Sequence, residues 1–268
     1  MGYAAKIVAD SIGPNAIRLT TMEVTFPRIV LAEFNTHRMF SRNSASSRAI
    51  PVDKMIRRVI DDPFIPAKWP QNQKGMQATE YLTGDDALMA ERAWLLARNS
   101  ATEHASRLLE LGVHKQIANR LLEPFLWHTV IVTATEWSNF FALRCHPDAQ
   151  PEIQAVAYMM QELYSTEEPT QLQPGDWHLP YIREEERDSE EFDLRLVSVG
   201  RCARVSYLTH DGVRDPAQDV GLCERLRSSG HWSPFEHVAM CRNAGDLSQS
   251  GNFKGWDQFR KGMVGECR

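Results

Sequence analysis

Residues 3–9 and 17–26 read as two strands, with Ile12-Gly13-Pro14-Asn15 supplying turn chemistry between them. In the second run Met22, Val24 and Phe26 alternate with Thr21, Glu23 and Thr25, the period of a strand with one buried face. Pro27 stands where a helix can begin, and Ile29, Val30, Ala32, Glu33 and Phe34 lead into it. Residues 41–48 are polar, short in side chain and without period, which predicts a loop held close to something. Residues 85–111 predict one long helix or two abutting ones, opened by Gly84-Asp85-Asp86 and closed by Gly112. Within it Leu88, Leu95, Leu96, Ala101, Leu108 and Leu109 recur at helical spacing and are expected to pack a core. Trp127–Ala134 carries a β-branched run and predicts a strand, and residues 152–164 predict an amphipathic helix. The acidic stretch 184–193 reads as a solvated linker. It separates a main α/β region, 1–183, with a helical lobe at 53–111, from a segment 194–268 expected to complete the same domain.

Composition narrows the classes. The chain has 268 residues, 43% hydrophobic and 24% charged, which is enough for one large folded domain. A net charge of -5 argues against duplex nucleic acid as a partner, while a few local arginines can still hold a small anion. No apolar run is long enough to span a membrane, and the first ten residues lack the layout of a signal peptide. Five scattered cysteines without a C-x-x-C suit a cytoplasmic protein and no disulfide framework. There is no P-loop, GxGxxG, GxSxG, HExxH or EF-hand pattern, and His231, His237 and Cys241 fit no common zinc spacing, so no metal is expected.

The concentrated chemistry is the run His37-Arg38-Met39-Phe40-Ser41-Arg42-Asn43-Ser44-Ala45-Ser46-Ser47-Arg48. Three arginines, a histidine, an asparagine and four serines in twelve residues suit phosphate and pyrimidine recognition, although a polar surface loop has the same composition. This run resembles the RHRxxSxNExSxRY motif of the flavin-dependent thymidylate synthases at His37, Arg38, Ser41, Asn43, Ser46 and Arg48. Residues 119–124 resemble that family's ARxxLP block. Residues 136–144 and 149–154 resemble its helix ending in a substrate-contacting arginine. Residues 203–207 and 230–237 resemble two further blocks that precede the motif in usual members and follow it here, so the chain resembles a circularly permuted, phage-like member.

The resemblance implies an α+β fold, mostly antiparallel sheet with long helices, in which FAD relays a methylene from methylenetetrahydrofolate to dUMP after reduction by NADPH. It implies Ser44, Ser46, Ser47, Arg48 and Arg120 on the nucleotide, and Arg144, the catalytic candidate, against the pyrimidine. It implies His37, Arg38, Met39, Asn139, Ser206, His231, Ser233 and Glu236 along the FAD, and a homotetramer with sites at subunit interfaces. Thr36, Ser44 and Ala49 replace an arginine, a glutamate and a tyrosine of the motif, and Glu33 a glutamine. Thr133 and Thr135 stand where asparagine and arginine are usual. The stretch 256–261 with Glu266 echoes the lost Gln-x-x-Arg…Glu content, so Gln258 and Arg260 are expected to restore substrate contacts, unless the tail simply covers core. A hydroxymethylated product, dCMP as substrate, or a non-catalytic nucleotide-binding module are the alternatives these substitutions leave open.

Overall fold

The computed structural model describes residues 2–75, 77–207 and 215–266. Strands β1 (Ala4–Ile12) and β2 (Arg18–Pro27) form an antiparallel hairpin with a bulge between Ile7 and Ala9. A 3-10 turn, Arg28–Val30, and the single-turn helix α1 (Leu31–Phe34) lead to β3 (Ser41–Ser44). Helices α2 (Val52–Asp61), α3 (Gly84–Glu110) and α4 (Lys115–Ala118) make the lobe, which a 3-10 stretch at Asn119–Phe125 closes. Next come β4 (Trp127–Ala134), α5 (Ser138–Arg144), α6 (Pro151–Thr166), β5 (Thr170–Gln171) and β6 (Trp177–His178). The remainder holds α7 (Leu194–Arg204), α8 (Pro216–Ser228), β7 (Ala239–Cys241), β8 (Gln249–Ser250), β9 (Phe253–Lys254) and β10 (Trp256–Gln258).

The main sheet runs β3-β4-β2-β1-β5, antiparallel except for the parallel β1–β5 pair. The fold is therefore α+β with a largely antiparallel sheet. One face packs Met22, Val24, Phe26, Val130 and Val132 against Phe140 of α5 and Ile153, Val156 and Met160 of α6. The opposite face is covered from the C-terminal segment, where Cys202 and Val205 meet Ile131. This double cover corrects the half-buried reading of β2: Thr21 and Thr25 are buried beside Met22 and Val24, and only Glu23 of the three polar positions stays partly open. Thr21 and Thr133 bond each other at 2.7 Å and extend to His178 and His237, at 2.8 and 2.7 Å, with His178 continuing to Ser11 at 2.9 Å. Hydroxyls and imidazoles thus pair with one another where water is excluded, with His237 Nε2 left without a partner among the described residues.

Three further expectations change. Residues 41–44 form an edge strand, because the backbone of Ser41–Ser44 pairs with Thr133–Val130 of β4 whatever its side chains do. The expected core face of α3 holds in part: Ala101 packs beside buried Ala105, and Leu95 and Leu108 are half-buried, but Leu88 and Leu96 are 65% and 60% exposed. That long helix packs on α2, α4 and the 119–125 stretch, with Trp94 against Phe64 and Trp69, while Leu88, Leu96 and Leu109 stay exposed. The acidic stretch is exposed in its middle but tied down at both ends. Glu186 pairs with buried Arg201 at 2.6 Å, and Asp193 caps α7 by accepting from the Arg195 amide. No helix among the described residues is long and apolar enough to cross a membrane.

Candidate functional site

The run 37–48 forms a seam between the main sheet and the C-terminal segment. Asn43, buried in β3, donates from Nδ2 to the Cys202 carbonyl (2.9 Å) and accepts at Oδ1 from Ser233 (3.4 Å). The Ser46 amide donates to the Ser206 carbonyl at 3.1 Å. Ser41 Oγ accepts from Gln258 Nε2 at 3.2 Å and from Asn252 at 3.4 Å. Residues from four separate stretches of the chain are thereby pinned to one short segment.

At its start, His37 is buried under Phe40 and Phe140. Arg144, the last residue of α5, donates from Nε to His37 Nε2 at 3.0 Å and reaches Thr36 Oγ1 and the Glu33 carbonyl at 3.4 and 3.5 Å. Burial first, then the positive charges of Arg144 and Arg42, lower the His37 pKa to about 4. The imidazole is neutral at pH 7 and carries its proton on Nδ1, since Nε2 accepts. Arg42 donates to the carbonyls of His37 (2.9 Å) and Asn35 (3.2 Å), and its pKa is lowered mainly by desolvation. Two guanidiniums therefore converge on the loop before β3 with only carbonyls, a hydroxyl and a neutral ring as hydrogen-bond partners. Such a place favours an incoming anion or a carbonyl oxygen.

In the middle, Gln258 is buried and also donates to the Glu236 carbonyl at 3.2 Å. Arg260 pairs with Glu236 and, at 2.8 Å, with Glu266. The tail thus reaches the motif, and its glutamine and arginine are engaged in internal contacts.

At the end of the run, Ser47 donates to Glu123 at 2.8 Å, and Glu123 also takes Arg120 at 2.7 Å and Arg28 at 3.0 Å. Ser46 and Ser47 line a cavity of about 220 Å³ whose other walls come from α2 and the start of β4. Arg38, Met39, Arg48, Asn139, His231 and Ser233 lie on the exposed surface; Ser44, Ser206 and Glu236 are half-buried. Arg28, Arg57, Arg58 and Glu123 were not singled out from sequence; only Glu123 sat inside a recognised block, and no local motif marks the three arginines.

Comparisons with known proteins bear on the part of the chain that carries the motif. Residues 17–170, more than half of the chain, match the family described as thymidylate synthase complementing protein. No curated protein matches. Among solved structures the chain is similar to the UMP/dUMP methylase PolB from Streptomyces cacaoi. In the form bound with 5-Br UMP the identity is 18% over 61% of this chain and 88% of that chain, with a TM-score of 0.51. With 5-Br dUMP bound, the values are 17%, 61%, 90% and 0.51. At that identity the likeness is one of fold.

Proposed function

This chain belongs to the thymidylate synthase complementing protein family, and from that premise we propose that it methylates a pyrimidine nucleoside monophosphate, dUMP first among them, at C5. The observation that carries the reading is the seam. Residues assigned by resemblance to the nucleotide (Ser44, Ser46, Ser47) and to a cofactor (His37, Ser206, Ser233, Glu236) are joined along it by direct hydrogen bonds or short runs of backbone, although up to 199 residues separate them. The two solved neighbours carry brominated UMP and dUMP, which supports the same substrate class.

The donor set suits FAD: exposed Arg38 and half-buried Arg42 are cations for a diphosphate, and His37, Met39, Asn139, His231 and Ser233 offer a mixed polar and apolar border. When bound and reduced by NADPH, FAD would supply the hydride and carry the one-carbon unit of methylenetetrahydrofolate to the pyrimidine. Arg144 would press its guanidinium on a pyrimidine carbonyl, drawing charge onto oxygen in the transition state. His37, neutral and fixed through Nε2, holds that guanidinium in place. By resemblance Arg48 and Arg120 would contact the nucleotide from outside the Ser46 pocket, and Gln258 and Arg260 would act on the site by fastening Ser41 and Glu236. The exposed leucines of α3 support assembly of several copies, for which the resemblance names a homotetramer, working in a reducing cytoplasm. The block order supports a circular permutation, since the segment packed over the sheet is the one displaced in sequence.

The test is mass spectrometry of nucleotides after incubation with FAD, NADPH, methylenetetrahydrofolate, dUMP and dCMP. Thymidylate is the expected product. A hydroxymethylated or cytosine-derived nucleotide would move the substrate assignment to Glu33, Thr36 and Ser44. No product, with nucleotide still bound, would leave a binding module.

A further inference from the structure

The cavity beside Ser46 and Ser47 has a second wall, from α2, to which the family resemblance assigns no role. Its volume is about 220 Å³. Its apolar lining includes Ile50, Met55 and Leu126, suited to a flat ring or a sugar edge. Ser46 Oγ forms no hydrogen bond among the described residues and is free to donate. Arg28 also lines the cavity, but its guanidinium is engaged with Glu123 at 3.0 Å and His128 at 3.0 Å. Arg48 and Arg120 do not line it. The charges that remain are Arg57 and Arg58 on α2, neither of them paired with a carboxylate among the described residues. Asp61 and Asp62 share the same walls and offset part of that charge, so an anion is held there by the directed guanidinium N–H groups rather than by net field.

Resting on the reading above, which puts the nucleotide on Ser46 and Ser47, we infer that Arg57 and Arg58, from the helical lobe, supply counter-charge to its 5′-phosphate across this cavity. The lobe then has a task in substrate binding: it closes a pocket whose opposite wall is the motif. Two guanidiniums and a serine hydroxyl give a phosphate several charge-assisted hydrogen bonds, which a nucleoside lacking phosphate cannot use.

The experiment is calorimetric titration of the FAD-supplemented chain with dUMP and with deoxyuridine, for wild type, Arg57→Ala/Arg58→Ala and Arg57→Lys/Arg58→Lys. The expected result is a loss of roughly tenfold or more in dUMP affinity for the alanine pair, unchanged deoxyuridine affinity, and partial recovery with lysine. Both side chains are solvent-exposed, so an unchanged melting temperature checks that the fold persists. Equal weakening of dUMP and deoxyuridine overturns the inference, because the arginines would then act on the fold rather than on phosphate. An unchanged dUMP affinity in the alanine pair overturns it while the nucleotide reading stands. A wild-type chain that binds neither compound takes down both.

Discussion

Arg144 and His37 lie 107 positions apart and meet at 3.0 Å, and the geometry of that contact decides what each can do. The histidine accepts, so it is neutral; the arginine keeps its NH groups for Thr36, the Glu33 carbonyl and anything that enters beside them. Lysine at 144 would keep the charge and lose the planar fork, so Arg144→Lys should lower kcat for dUMP methylation by about one to two orders of magnitude, with a smaller change in nucleotide affinity. Equal losses in kcat and affinity would count against a transition-state role. Gln258 gives a second prediction of this size. Its amide is buried and bridges Ser41 and the Glu236 carbonyl, so Gln258→Ala should destabilise the protein by about 1–3 kcal/mol in urea titrations. An unaltered midpoint would mean that the bridge is dispensable.

Helices α7 and α8 cross at Gly200. A β-carbon built there would stand 2.3 Å from the Asp219 carbonyl oxygen and 2.7 Å from its carbon, atoms of backbone that have nowhere to go. Asp219 in turn receives Arg201 at 3.1 Å and Arg204 at 2.5 Å, so the ion pairs depend on that close approach. Gly200→Ala should cost about 1–3 kcal/mol or more and lower the melting temperature, whereas Gly262→Ala, facing open space, should not. At this level the sequence was unevenly readable. Strand β4 was legible to the residue, because a strand buried on both faces is a continuous β-branched run. Helix α6 was legible to within two residues from its period. Strand β3 was hidden: its pairing uses backbone groups, and its polar side chains hold the C-terminal segment. The core face of α3 was legible at Ala101 and overextended to Leu88 and Leu96, because a stripe of leucines looks the same whether it meets its own chain or remains open. The motif announced a cluster of phosphate and pyrimidine chemistry, yet nothing local tells that Arg144 returns to His37 or that α2 turns two arginines toward Ser46.

Across the molecule, burial is the first cause that lowers the pKa values of His37 to about 4 and of His128, His178 and His237 to about 3. Their ordinary value is 6.5, so above that pH neither folded nor unfolded chain holds these protons. As pH falls below 6.5 the unfolded chain takes them up and the folded one resists, so stability is full above 6.5 and declines toward 4 and 3. Each group contributes up to about 1.4 kcal/mol per pH unit. Denaturation midpoints measured at pH 7, 6 and 5 should fall in that order; a flat series would refute the neutral, buried state. The same sheet makes a second prediction. A protease site placed between Asp188 and Glu190, in the exposed middle of the acidic stretch, should be cut without separating the two pieces on gel filtration, because contacts along the seam and under Ile131 hold them. The face that the second piece covers carries Ile131 set among Thr21, Thr25, Thr129 and Thr133. During synthesis it must wait for roughly seventy more residues to leave the ribosome, on the order of 4–14 s at ~5–20 residues per second. An aliphatic sheet face left bare for that long would invite association with its neighbours on the polysome. A threonine face keeps strand-forming shape while remaining wettable, so the nascent half can stand in water until its own cover arrives.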